Sequence, residues 1–177
     1  MPATPPSMDE AGFEAMYEAC FDRVLAYALA RSDVQAAKDA VAEVFLVAWR
    51  RRAELPAEPL PWLLGTARRT LATSRRSGRR RSALAQRVVH HRPTAAHDDP
   101  ADAVVEREAA LAALERLRPD DRELLCLLAW DGLTPTEAAE ALGISSATCA
   151  VRIHRARRRY DEALAAADRT APVEDRT

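Results

Sequence analysis

The chain is expected to be all-α, built as two small helical domains joined by a flexible linker, and three observations predict this. Hydrophobic residues make up 48% of 177 residues, yet aromatics contribute only 5% and glycine occurs five times, so Ala and Leu dominate the apolar set. That is a helix-forming composition. Apolar residues recur at spacings of three and four, the signature of one helical face, and β-branched residues never gather into the alternating runs of a half-buried strand. The stretch 90–100, HHRPTAAHDDP, has two prolines and no apolar periodicity, as an exposed linker should. Two small domains suit the length. The boundaries are set at 1–8 for a disordered start, 9–92 for the first domain, 93–101 for the linker, 102–165 for the second domain and 166–177 for a disordered tail.

The first helix is read over Asp9 to Arg31, where Phe13, Met16, Tyr17, Cys20, Phe21, Val24 and Tyr27 form the stripe. Ser32 is expected to cap a second helix reaching about Arg52, with Val34, Val41, Val44, Phe45, Ala48 and Trp49 as its apolar residues. Pro56, Pro59 and Pro61 break the chain. A third helix begins near Leu60, carries Trp62, Leu63, Ala67 and Leu71, and runs into an arginine block. Beyond the linker, Val104, Val105, Leu111, Leu114 and Leu117 predict a helix ending near Arg118. Pro119 suits the first turn of the next, where Asp120 and Asp121 complement the helix dipole.

The stretch Leu133 to Arg159, LTPTEAAEALGISSATCAVRIHRARRR, is the most informative. Thr134, Pro135 and Glu137 combine a capping hydroxyl, a proline at the first helical position and a carboxylate able to reach back. Ala138, Ala139 and Leu142 give this short helix a buried face. Gly143 permits the left-handed backbone that ends it, and Ser145 caps a second helix. There Cys149, Ile153, Ala156 and Tyr160 fall on one stripe against the core. Ser146, Thr148, Ala150, Arg152, His154, Arg155 and Arg158 are left facing outward, a polar and basic surface of the width that enters a major groove. Two helices about a glycine turn, the basic one second, make a helix-turn-helix. A plain antiparallel helix pair with a solvated basic face is the bland alternative, and the coincidence of cap, turn and stripe weighs against it.

Charge sharpens this reading. The formal net charge of -1 hides a segregation of sign along the chain. From Trp62 to Arg92 there are nine arginines and no acid, and Ile144 to Tyr160 again lacks carboxylates. Two basic faces between acidic segments point to two contacts with one polyanion. Cys20, Cys126 and Cys149 sit in apolar helical patterns and read as reduced core thiols, which fits the cytosol. No apolar stretch approaches the length of a membrane span, and the start lacks the regions of a signal peptide, so no membrane insertion is expected. No nucleophile elbow, phosphate-cradling glycine loop or paired-histidine motif is present, so no catalytic residue and no cofactor are assigned. His90, His91, His97, Asp98 and Asp99 suggest a metal-dependent hydrolase only weakly, because a proline-flanked linker has nothing to fix ligand geometry.

These residues resemble a known family, the extracytoplasmic-function (ECF) group of sigma-70-type RNA polymerase sigma factors. Region 4 of that group is similar to the run from Ala113 to Tyr160, through ALERLRPDDRELLCLLAWDGLTPTEAAEALGIS and IHRARRR. Its region 2 is similar to the amino-terminal half, through DAVAEVFLVAWRR (Asp39 to Arg51) and PWLLGTARR (Pro61 to Arg69). The matches span most of the chain in the family's order.

The resemblance implies a non-enzymatic protein that binds core RNA polymerase and directs promoter-specific initiation. Asp39, Ala42 and Glu43 would contact the clamp helices of the polymerase's largest subunit, with Phe45 and Trp49 in the core. Trp62, Arg68, Arg69, Thr73, Arg75, Arg76, Arg79 and Arg80 would recognise and open the minus-ten element, a task needing backbone charge and a surface for an extruded base. Ser146, Thr148, Ala150, Val151, Arg152, His154, Arg155 and Arg158 would read the minus-thirty-five duplex. An anti-sigma protein is a further partner the family often uses. The family pattern carries Gln where Ala42 stands, Asn at Arg69, a basic residue at Ala150 and Gly at Ala147, and these departures bear on polymerase affinity and promoter choice. The rival reading is a helix-turn-helix regulator that binds DNA without joining polymerase.

Overall fold

The computed structural model describes residues 8–81 and 101–168, of which 76–81, 101–106 and 167–168 are described as backbone only. Among the described residues every regular element is helical: α1 (Glu10–Leu29), α2 (Val34–Arg50), a 3-10 turn (Arg52–Glu54), α3 (Leu60–Arg81), α4 (Ala101–Arg116), α5 (Pro119–Ala129), α6 (Pro135–Leu142) and α7 (Ser146–Asp168). The all-α expectation holds. The chain divides into two compact units, one built on α1–α3 and including Glu140–Gly143 at the end of α6, the other built on α4, α5, the start of α6 and α7.

In the first unit each of the three helices packs on the other two. Asp9 starts α1 by accepting from the Gly12 amide at 2.8 Å. Met16, Cys20, Val24, Tyr27 and Ala28 are its buried residues, at the predicted spacing. Burial pushes the Cys20 thiol above its ordinary pKa, the Arg23 cation opposing this and Glu58 adding to it, so the thiol stays protonated at neutral pH. The cap of α2 is Asp33 rather than the expected Ser32. The Ala36 amide donates to Asp33 Oδ1 at 2.9 Å, whereas Ser32 Oγ donates to the Ala28 carbonyl at 2.8 Å. Ser32 therefore closes the preceding helix, and the carboxylate one residue later takes the end that a negative charge favours.

Ala37, Ala40, Val41, Val44, Phe45 and Ala48 are the buried face of α2. Two expected core members of that helix depart from expectation: Val34 is 45% exposed and Trp49 37% exposed. Val34 opens the first turn, before the stripe is covered. Trp49 sits at the far end, held edge-on by Phe13 at 4.9 Å between ring centroids and covered by the Arg52 guanidinium at 4.5 Å. Leu60, Leu63, Leu64, Ala67 and Leu71 supply the α3 side of the core.

In the second unit α4 and α5 both pack on α7. Ala113, Leu117, Leu124, Cys126, Leu127, Leu133, Cys149, Ile153 and Ala156 are buried. Pro119 occupies the first turn of α5, as predicted. The helix α7 continues to Asp168, past the expected limit at 165.

Gly143, between α6 and α7, has φ +67°, and a Cβ there would meet nothing within 4 Å. Replacing it by Ala thus costs backbone strain alone, about 1–2 kcal/mol. Denaturant unfolding of Gly143→Ala is expected to show that loss, with Gly143→Asn retaining much of the stability.

Candidate nucleic-acid interface

Three local devices build the helix-turn-helix. Thr134 and Glu137 bond reciprocally: the Thr134 amide donates to Glu137 Oε2 at 2.6 Å, and the Glu137 amide to Thr134 Oγ1 at 3.3 Å. At the other end of α6 the Gly143 amide donates to the Glu140 carbonyl and the Ile144 amide to the Ala139 carbonyl, each at 3.0 Å. This pair of bonds around a left-handed glycine is a Schellman motif, which sets the direction of the chain into α7. Ser145 then caps α7, accepting from the Thr148 amide at 3.2 Å, and its hydroxyl bonds that of Thr148 at 2.8 Å.

Cys149, Ile153 and Ala156 are buried on α7 as predicted, with Tyr160 half-buried. Burial raises the Cys149 pKa, the neighbouring Arg152 cation opposing it, and burial with the Asp161 charge raises that of Tyr160. Ser146, Thr148, Ala150, Val151, Arg152, His154, Arg155 and Arg158 are all exposed on the remaining face. Arg158 Nε lies 3.4 Å from Glu162 Oε1, an exposed i,i+4 pair. Such a pair is worth little in water and yields easily to a phosphate.

Arg159 departs from the basic block in which the sequence places it. Its guanidinium lies 2.5 Å from Asp121 Oδ2, and the side chains are 35% and 12% exposed. Asp121 is thus more than a charge at the α5 dipole; it ties α5 to the helix that presents the basic face. The sequence signal for this is position: Arg159 follows Ala156 by three residues and so borders the buried stripe.

In the first unit Asp39, Ala42 and Glu43 are exposed on α2, and Gln35 Nε2 donates to Asp39 Oδ1 at 2.8 Å. Leu46, 43% exposed, extends that face by one turn toward Trp49. Residue type alone does not separate it from the core leucines, although its spacing from Ala42 and Glu43 assigns it to their stripe.

The structure binds several proposed α3 contacts to protein partners. Trp62 is half-buried with the Arg51 guanidinium 5.8 Å above its ring. Arg69 donates to Thr66 Oγ1 at 2.9 Å, while Thr66 donates to the Trp62 carbonyl at 2.9 Å. Thr73 donates to the Arg69 carbonyl at 3.0 Å. Arg75 donates to the Arg31 carbonyl, just past α1, where the helix dipole favours a cation. Arg68 is half-buried. The side chains of Arg76, Arg79 and Arg80 lie outside the described residues, as do His90, His91, His97, Asp98 and Asp99. Among the described residues no three His, Cys, Asp or Glu side chains gather as metal ligands, and no helix is long and apolar enough to cross a membrane.

A small helical unit with a capped, glycine-turned helix pair and a basic second helix defines the helix-turn-helix class. Residues 107–159 match the family described as sigma-70, region 4. The chain is 37% identical over 147 residues to a probable RNA polymerase sigma factor, RfaY, of Xanthomonas campestris pv. campestris, covering 78% of this chain and 37% of the relative. It is 29% identical over 109 residues to the RNA polymerase sigma-E factor of Streptomyces coelicolor, covering 62% of each. The chain thus spans less than two thirds of the length of these curated relatives. The fold is similar to that of the sigma factor RpoE of Bartonella quintana, solved in complex with the anti-sigma factor NepR (TM-score 0.62, 22% identity, 86% of this chain and 96% of that one). It is also similar to CnrH in complex with the cytosolic domain of CnrY (TM-score 0.56, 20% identity, 89% and 90%). Residues 107–159 thus match sigma-70 region 4, and the chain over 147 residues is similar to an RNA polymerase sigma factor.

Proposed function

We propose that the chain is a cytoplasmic sigma factor of the ECF group, which joins core RNA polymerase and directs it to particular promoters without chemistry of its own. One observation carries the reading: a region 4 helix-turn-helix presents exposed Arg152, Arg155 and Arg158, in a chain related over 147 residues to a sigma factor. Residues 9–92 then serve as region 2, 93–101 as linker and 102–165 as region 4. The α7 face reads the minus-thirty-five duplex, and α3 with its arginine-rich continuation opens the minus-ten element. Polymerase fixes the spacing of the two contacts, so each can be individually weak. An anti-sigma protein, the partner solved with RpoE, is proposed as the regulator. Transcription by core enzyme from a promoter library, with and without the chain, tests the reading. Start sites appearing only with the chain are expected, and none appearing would overturn it.

The polymerase contact is placed on Asp39, Ala42, Glu43 and Leu46, the exposed α2 stripe, against the clamp helices of the largest subunit. Burying Leu46 there is worth about 1.5–3 kcal/mol, so Leu46→Glu is expected to weaken core binding by roughly 10-fold or more while leaving the fold intact. Titration against labelled core measures it. Exposed Ala42, where the family pattern carries Gln, favours the second reading, a regulator that binds DNA alone. Failure to co-purify with core polymerase at low salt would decide for that rival.

A further inference from the structure

We propose that Val151 reads thymine, by packing on its 5-methyl group in the major groove of the promoter duplex bound by α7. The inference rests on the reading of α7 as a duplex-binding helix and adds what the N-terminal part of that helix recognises. Val151 is 51% exposed and is the one large hydrophobic residue exposed on α7 among the described residues. At about 100° per residue it stands roughly opposite the stripe of Cys149, Ile153 and Ala156, at the middle of the outward face. Ala147 is exposed one turn before it, and Arg155 and Arg158 are exposed one and two turns after it.

The outward face is therefore graded, with small hydroxyl and apolar residues (Ser146, Ala147, Thr148, Ala150, Val151) at its N-terminal end and arginines beyond. The N-terminal residues of a recognition helix approach base edges, while arginines further along reach phosphates. Polar readout is scarce at that end. Ala147, Ala150 and Val151 have no side-chain polar atom, and the Thr148 hydroxyl already bonds Ser145. Base edges in the major groove offer donors and acceptors at every pair but only one apolar group, the thymine methyl. A valine at the deepest point of the face matches that group and no other.

Replacing thymine by uracil removes this methyl and leaves every hydrogen bond of the base edge. Holoenzyme made from core polymerase and the full chain would be assayed on a promoter to which it responds, with each thymine of the upstream duplex replaced in turn by uracil. At one position initiation at limiting holoenzyme is expected to fall roughly fourfold, the worth of one buried methyl. Val151→Ala should lose a similar factor on the thymine promoter and nothing more on the uracil promoter, while Val151→Ile keeps the discrimination. Equal losses from Val151→Ala on both promoters, or indifference to uracil at every position, would overturn the thymine contact alone. If no promoter responds to the chain, the sigma-factor reading falls and this contact falls with it.

Discussion

Replacing Arg152, Arg155 and Arg158 together by Ala is expected to lower promoter affinity by roughly 100-fold or more at moderate salt. Every phosphate left without its arginine also takes about 0.9 from the slope of log affinity against log salt concentration, so the slope should flatten by nearly 3. The fold should survive. All three side chains are exposed, and the ion pair of Arg158 with Glu162 is a surface pair worth under about 1 kcal/mol. Holoenzyme binding to promoter duplex across a salt series, alongside thermal unfolding, gives both readouts. An unchanged slope would show that these arginines do not meet phosphates, however much the affinity fell. The Leu46→Glu variant should show the complementary pattern, with reduced core binding and an unaltered response of the bound complex to salt.

Features of this molecule are legible in its sequence to the degree that they are local. The Thr134–Glu137 capping box, the Gly143 turn, the Ser145 cap and the Cys149–Ile153–Ala156 stripe all lie within one or two helical turns, where spacing dictates geometry. The exposed recognition face follows from them. Where two local solutions compete, reading fails by a residue. Ser32 and Asp33 are both good caps, and only the fold shows that the hydroxyl bonds back to Ala28 while the carboxylate bonds forward to Ala36. Trp49 fits the apolar period of α2, but nothing in that period says that α1 covers it with a single ring edge from Phe13 and leaves it 37% exposed. Partners distant in sequence are the least accessible. Arg75 bonds a carbonyl 44 residues away, and Arg159 a carboxylate 38 residues away. Sequence groups both with their charged neighbours, because charge runs are read as solvated or ligand-facing unless a partner is in view.

The Arg159 pairing carries the largest structural consequence. Asp121→Ala is expected to destabilise the second unit by about 2–3 kcal/mol, since it leaves a guanidinium only 35% exposed without its partner. That figure sits below the range for fully buried pairs because the arginine retains some water. Arg159→Ala should cost as much or more, as the side chain it strands, Asp121, is only 12% exposed. The pair fixes how α7 lies on α5, so it positions the basic face without belonging to it. Two readouts separate this from a DNA contact. Arg159→Ala should lower the unfolding midpoint of the second unit while leaving the salt slope of promoter binding unchanged, the reverse of the triple variant. The double replacement Asp121→Leu with Arg159→Met, which fills the same space without charge, should recover much of the stability and most of the promoter affinity. If the double variant regains stability but not binding, Arg159 touches the DNA after all. If neither single variant shifts the midpoint, the ion pair does not hold α7 in place, and the orientation of the recognition helix must come from its buried stripe of Cys149, Ile153 and Ala156.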